Sequence, residues 1–189
     1  GEDEWVTRLI EKPKALDNNL ALVGFYYFKE GQQLIQAIES QIENKLIFKG
    51  EYFLADAINI MLDEMNVKAR THKVNIWLDA GTPEAVLATN RYLLDHGYDN
   101  SEKAGKRMGV KIIPPVYIHP EANVEASVLG PHTAVDAGCQ ITGSVIQNSI
   151  VERDAQIEDV ILRDSLIGQH THVQGKAASL NMGDHTSLK

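Results

Sequence analysis

Apolar residues follow two different rules along this chain. Up to about Tyr98, strand-like stretches alternate with stretches of helical period. Residues 6–10, 20–28 and 74–79 are rich in β-branched and aromatic residues and predict strands. Leu34, Ile35, Ile38 and Ile42 recur at helical spacing, as do Leu54, Ile58, Met61, Leu62 and Met65, which predicts two helices. Thr82-Pro83-Glu84 predicts the start of a third: Thr as N-cap, Pro at the first helical position, Glu in the first turn. That helix carries Val86, Leu87, Leu93 and Leu94 on one side and stops near Gly97. Strands alternating with helices predict an α/β layer, here with too few strands for a self-sufficient sheet.

Residues 99–109, DNSEKAGKRMG, have no apolar period and read as a linker. After Val110 the rule changes. Ile118, Val124, Leu129, Val135, Ile141, Ile146, Val151, Ile157, Leu162, Ile167 and Val173 follow one another at steps of five or six residues. That is a hexapeptide-type repeat with shortened rungs, and it predicts a parallel β-helix in which each of these side chains points inward. Gly130, Gly138, Gly143, Asn148 and Gly168 fall where the coil must bend. The predicted organisation is therefore an α/β region over 1–98, a linker over 99–109 and an all-β region over 110–189.

Composition adds exclusions. A hydrophobic fraction of 43% in 189 residues suits a chain with a real core. A net charge of -8 argues against broad binding to a nucleic-acid backbone, although a phosphate site needs only a few local cations. The single Cys139 allows no intrachain disulfide, so a cytoplasmic location is expected. No apolar run approaches the roughly 20 residues that span a bilayer, so no membrane association is expected.

Four stretches carry candidate chemistry. Leu9-Ile-Glu-Lys-Pro-Lys14 puts a carboxylate and an ammonium at a predicted strand end. The first can accept hydrogen bonds from hydroxyls and the second offers a point charge to a phosphate. Val23-Gly-Phe-Tyr-Tyr-Phe28 places a glycine inside a predicted strand, as where backbone approaches a ligand. Lys49-Gly-Glu51 sets a basic residue ahead of a helix start, where exposed N–H groups suit phosphate. In Val74-Asn-Ile-Trp-Leu-Asp-Ala-Gly-Thr-Pro-Glu84, two-residue alternation puts Asn75, Trp77 and Asp79 on one face, just before a capped helix.

In this order, EKPK, VGFYYF, KGEYFLADAI and WLDAGTPEAVLATNRYLL closely resemble the later part of the sugar-1-phosphate nucleotidyltransferase domain. The nearest likeness is to glucose-1-phosphate thymidylyltransferase-like enzymes of the long type, which continue into a left-handed β-helix. The resemblance covers nearly the whole chain and implies a Rossmann-like α/β remnant followed by that helix. It implies transfer of a nucleotidyl group from dTTP or UTP to glucose-1-phosphate, with release of pyrophosphate. Glu11 then matches the glutamate that binds sugar hydroxyls, Lys12 the lysine on the sugar phosphate, and Gly24 the place where the backbone passes the sugar. Lys49 stands where many members carry a phosphate-binding arginine, and Asp79 matches the second Mg²⁺-binding aspartate. Ala80 and Ala55 replace commonly seen threonines.

One departure is larger. The family's glycine-rich, Arg-bearing phosphate loop and first metal aspartate precede the Glu-Lys-Pro motif, and here only ten residues do. The expectation is a C-terminal portion with half of the sugar-phosphate site and one metal ligand, inactive alone. Two other classes compete. A hexapeptide acyltransferase would use coenzyme A and a histidine base, with His119, His132, His170, His172 and His185 as candidates; His170 and His172 flank a threonine and face the same way on a strand. A non-catalytic solenoid would serve assembly or regulation, and homo-oligomerisation through the β-helix is expected in either case.

Overall fold

α1 (Gly31–Glu43) and α2 (Leu54–Asp63) form where the three- and four-residue spacings predict them. In the computed structural model, which describes residues 5–11, 20–175 and 181–188, they belong to the first of two compact units, Gly1–Trp77 and Leu78–Lys189. Ala37 of α1 meets Ala57, Ile60 and Met61 of α2, with Phe28, Leu34, Ile38, Met65 and Val67 packed around them. The stripe is narrower than its spacing implies, because Ile35 and Ile42 are about half exposed.

The three predicted strands of this region do not form ladders among the described residues. Residues 6–10, 20–28 and 74–79 run without regular pairing. Trp5 makes one antiparallel bridge to Arg70, and Val6 N–H donates to Ala69 C=O at 2.9 Å. A strand is defined by its neighbour, and among the described residues these segments have no continuous one. Several of their apolar side chains are correspondingly bare: Phe25 is 86% exposed and Trp77 61%. Leu9 finds a substitute partner. The Asn59 side-chain amide of α2 accepts from Leu9 N–H and donates to Leu9 C=O, both at 2.9 Å, standing in for a strand's peptide group.

The second unit opens with α3 (Pro83–Leu93), where the Thr82 hydroxyl accepts from Ala85 N–H at 3.2 Å. A π-type turn, Leu94–Tyr98, follows, with Gly97 inside it at φ +105°. The stretch 99–109 then carries α4 (Ser101–Ala104). The first strands are β1 (Val110–Ile112), β2 (Val116–Ile118), β3 (Asn123–Glu125), β4 (Ser127–Leu129) and β5 (Thr133–Val135). They continue as β6 (Gln140–Thr142), β7 (Val145–Gln147), β8 (Ile150–Val151), β9 (Gln156–Glu158) and β10 (Ile161–Arg163). β11 (Leu166–Ile167), β12 (His172–Gln174), β13 (Asn181–Met182) and β14 (Ser187–Leu188) complete the described set.

These strands build three sheets, ordered β1-β4-β7-β10, β2-β5-β8-β11-β13 and β3-β6-β9-β12-β14. Every pairing is parallel, so each turn of chain contributes one rung to each sheet: a parallel β-solenoid, consistent with a left-handed β-helix. All eleven residues of the repeat are buried. Val124, Ile141, Ile157 and Val173 stack in register down one face, and Ile118, Val135, Val151 and Ile167 down another. Each such side chain contributes about 1.5–3 kcal/mol by burial.

A second interior row stands two residues before the first and escapes the apolar period because much of it is polar. Ser127, Ser144, Ser149 and Ser165 are all buried. Ser144 shows how they are satisfied: its hydroxyl donates to Thr142 C=O at 2.8 Å and accepts from Val160 N–H, one coil on, at 3.3 Å. Ser149 repeats this with Gln147 C=O and Ser165 N–H.

The corners are left-handed residues stacked in columns. Gly138, Asp154 and His170 occupy one, and His132, Asn148 and Asp164 another, all at positive φ. Gly168 differs from the other predicted corner glycines in lacking positive φ; a Cβ there would stand 2.7 Å from Asp184 Oδ1, so crowding selects it.

The polar stretch 99–109 covers the first edge of the solenoid. Asn100 brackets Ile118 of β2, accepting from its N–H and donating to its C=O at 2.9 Å each. Asp99 Oδ1 accepts from Ser101 N–H and Val116 N–H, each at 2.9 Å, and from the Ser101 hydroxyl. Burial alone would raise this carboxyl; the bonds from Ser101 and Val116 outweigh it and hold the group below the ordinary carboxylate value. Ala104 enters the solenoid core, and Arg107 donates to Ala122 C=O and His119 C=O. Covering an edge strand in this way removes a free pairing surface.

Candidate functional site

Glu11 lies at a bend, partly buried, two residues after the Leu9–Asn59 clamp. Asn59 thus fixes the backbone leading to the carboxylate, a role no periodicity signals; its place between the apolar Ile58 and Ile60 is the only hint. Lys12 lies outside the described residues. Gly24 has φ +76° and nothing within 4 Å of where a Cβ would stand, so conformation selects the glycine and open space lies beside it.

Lys49 and Gly50 form a two-residue turn, with φ +52° and +83°, closed by paired Phe48–Glu51 hydrogen bonds of 3.1 Å each way. The twist of this turn needs left-handed backbone at both central positions, which Asn-Gly ordinarily supplies. Lysine tolerates it less well, so the ammonium is held on a strained tip. Its Nζ stands 5.5 Å from the Phe48 ring centroid.

Asp79 belongs to the second unit, and Glu11, Gly24 and Lys49 to the first. Its Oδ1 accepts from Ala80 N–H at 2.8 Å and Gly81 N–H at 3.1 Å. The Thr89 hydroxyl of α3 donates to the Asp79 carbonyl at 2.7 Å. One carboxylate oxygen is thereby tied back, and Oδ2 takes no hydrogen bond among the described residues. Such a group fits a hard divalent cation that takes one or two protein carboxylates and fills its other positions with water and phosphate oxygens. No cluster of three or more His, Cys, Asp or Glu able to hold a metal occurs among the described residues. The alternation expected over 74–79 does not sort the faces, since Val74 and Ile76 are exposed along with Trp77.

The histidines of the solenoid are placed differently from one another. His132 Nε2 stands 2.9 Å from Asp95 Oδ1. His119 Nδ1 accepts from Glu121 N–H at 3.2 Å. His170 is a corner residue with φ +54°, not part of a strand, because β12 begins at His172. It stacks on His185 at 4.9 Å and lies 3.8 Å from Asp154. His170 and His172 nevertheless line one open cleft of about 340 Å³ with Gly138, Gln140, Asp154 and Gln156. The Cys139 thiol is buried inside the solenoid, and burial, with the nearby Asp136 and Asp154 charges, pushes it up. No described helix is long and apolar enough to cross a membrane.

A family model described as nucleotidyl transferase matches residues 1–96, half of the chain. The chain belongs to the nucleotidyl transferase family. Among relatives of this family, a glucose-1-phosphate thymidylyltransferase of Streptomyces antibioticus is 26% identical over 100% of this chain and 58% of its own length. A low-salt glycan biosynthesis nucleotidyltransferase of Haloferax volcanii is 29% identical over 97% of this chain and 57% of its own. A bifunctional GlmU protein of Pediococcus pentosaceus is 27% identical over 89% of this chain and 39% of its own. The chain therefore spans about half the length of the curated relatives it matches. The acetyltransferase domain of PglB from Neisseria gonorrhoeae aligns with 62% of this chain and 78% of its own at 20% identity, but its TM-score of 0.21 carries no weight for fold or function.

Proposed function

We propose that this nucleotidyl transferase chain forms the sugar-phosphate side of an enzyme that makes a nucleoside diphosphate sugar. The substrates are glucose-1-phosphate and dTTP or UTP. A phosphate oxygen of the sugar-1-phosphate attacks the α-phosphorus of the triphosphate in line. The bond from that phosphorus to the bridging oxygen breaks, and pyrophosphate leaves with the electron pair.

Most of the barrier to such a step comes from bringing two anions together in line. Glu11 accepts hydrogen bonds from the sugar hydroxyls, and Gly24 leaves room for the ring. Lys12 and Lys49 offset the sugar phosphate's charge. Asp79 presents its free oxygen to Mg²⁺, which when bound neutralises charge developing on the phosphate oxygens. In this reading 1–98 is the catalytic-domain portion, 99–109 the linker and 110–189 the β-helix. The observation that carries the reading is the Asp79 turn, which ties back Oδ1 and leaves Oδ2 without a hydrogen bond among the described residues. A cytoplasmic location goes with it, as does homo-oligomerisation through the β-helix. In support of the latter, the outward residues Val128, Val145 and Ile161 pair in register down one sheet.

The test is a pyrophosphate-release assay with glucose-1-phosphate, dTTP or UTP, and Mg²⁺. The 189-residue chain alone should release none. Joined behind the nucleotide-binding half of the Streptomyces antibioticus relative, it should turn over, and Asp79→Asn and Glu11→Gln should each lower the rate by orders of magnitude. An active chimera indifferent to both substitutions would overturn the site. Light scattering at the mass of one chain would overturn the oligomer.

A further inference from the structure

The residue that holds Asp79 is a helical neighbour of those that hold the β-helix. Thr89 donates to the Asp79 carbonyl at 2.7 Å. The next residue, Asn90, donates from Nδ2 to His132 C=O at 3.1 Å, and Arg91 Nη1 donates to Asn148 Oδ1 at 3.0 Å. Four residues on, Asp95 Oδ1 meets His132 Nε2 at 2.9 Å. All these groups lie in the second unit.

The seat is as well tied as the helix. His132 and Asn148 are consecutive members of one left-handed corner column, with Asp164 next. Asn148 Nδ2 bonds to Asp164 Oδ1, and Asn148 N–H donates to Pro131 C=O at 2.9 Å. His132 N–H donates to Pro115 C=O at 2.7 Å. Stacked coils are close-packed and respond to force as one body.

We propose that α3 is a strut through which the β-helix holds the Asp79 turn, with Thr89, Asn90, Arg91 and Asp95 as positioning residues. Residues one apart on a helix are separated by about 1.5 Å along its axis, so anchoring Asn90 and Arg91 anchors the Thr89 hydroxyl. That hydroxyl fixes the Asp79 carbonyl, while the Ala80 and Gly81 amides fix Oδ1. The direction left to Oδ2 is then set by the corner column. A cation that accepts oxygen ligands only near 2.0–2.1 Å and in near-octahedral array is sensitive to shifts of a few tenths of an ångström. This consequence rests on the reading of Asp79 as a metal ligand; the mechanical coupling does not. The β-helix thereby contributes to the site itself and is more than an assembly module.

The experiment is amide exchange, resolved by residue, in the 189-residue chain, with Mn²⁺ as the metal probe. Arg91→Ala and Thr89→Val should each speed exchange at Ala80 and Gly81 several-fold. Gln140 and Gln156, whose amides lie within the solenoid, should stay protected, which separates loosening of the turn from unfolding. Thr89→Ser, which keeps the hydroxyl, should restore slow exchange. Paramagnetic broadening of the Ala80 and Gly81 signals by Mn²⁺ should need several-fold more metal in Arg91→Ala. Exchange at Ala80 and Gly81 unaltered by Arg91→Ala and Thr89→Val would overturn the strut. Broadening unaltered by Asp79→Ala would overturn the metal reading and leave the exchange result to decide the coupling.

Discussion

Gly130 faces the backbone carbonyl of Ile113 so closely that a Cβ added to it would overlap that oxygen and stand 2.7 Å from Val116 Cγ1. Gly138, at another corner, is met first by the carboxylate of Asp154, with the backbone Cα of that residue at 3.7 Å. Both have positive φ, +100° and +71°. The two corners therefore differ in what would have to move.

Gly130→Ala should destabilise the β-helix by more than about 3 kcal/mol, since backbone must shift and a left-handed conformation must be held. Gly138→Ala should cost about 1–3 kcal/mol, and part of that should return in Gly138→Ala/Asp154→Ala, where the obstacle is gone. Urea unfolding followed by circular dichroism measures both; equal losses at the two corners would contradict this ranking.

Ser144→Ala removes the acceptor for Val160 N–H and leaves that amide buried without a partner. The expected loss is about 1–3 kcal/mol, more than the small change in volume would cause. Ser144→Thr keeps the oxygen and should recover part of the loss if the coil admits a methyl group. Denaturation midpoints of the two variants are the check.

At Lys49 the structural and chemical demands oppose each other. Lys49→Asn suits the left-handed turn and should stabilise the chain by about 0.5–1 kcal/mol. It also removes the ammonium and should weaken glucose-1-phosphate binding measured by calorimetry. A variant both more stable and equally avid would remove Lys49 from the site.

Asp99 supplies an acid-sensitive clasp at the first edge of the solenoid. Its folded-state pKa lies below the unfolded value of about 3.9. The stability it contributes is therefore fully present above that value and is lost as pH falls through the folded pKa. Wild type should exceed Asp99→Asn in urea midpoint at neutral pH, and the gap should close on acidification below about pH 4. A gap that widened in acid would reverse the assigned sign.

The eleven large residues of the β-helix and the three helices were legible from spacing, because a repeated burial requirement writes itself into the chain at the period of the element. So was the Thr82 cap, a local bond between residues three apart. The strands expected before residue 80 were legible as β-favouring composition only. Composition records what suits a pleated surface, and it does not supply the neighbouring strand that makes one. The family membership rested on short motifs in a fixed order, which local reading can hold.

What the sequence by itself determined was where the β-helix turns its residues and where a helix begins: inward at Ile141 and Ile157, corner at Gly138 and Asn148, helix start at Thr82. Those choices depend on neighbours within a few bonds and on water. What only the tertiary structure decided was which polar groups answer one another across 16 to 57 residues: Leu9 with Asn59, Ser144 with Val160, Asn100 with Ile118, Arg91 with Asn148. A hydrogen bond has no period and leaves no stripe. It exists only when two distant groups are brought within about 3 Å in the right orientation, and that is a property of the folded chain.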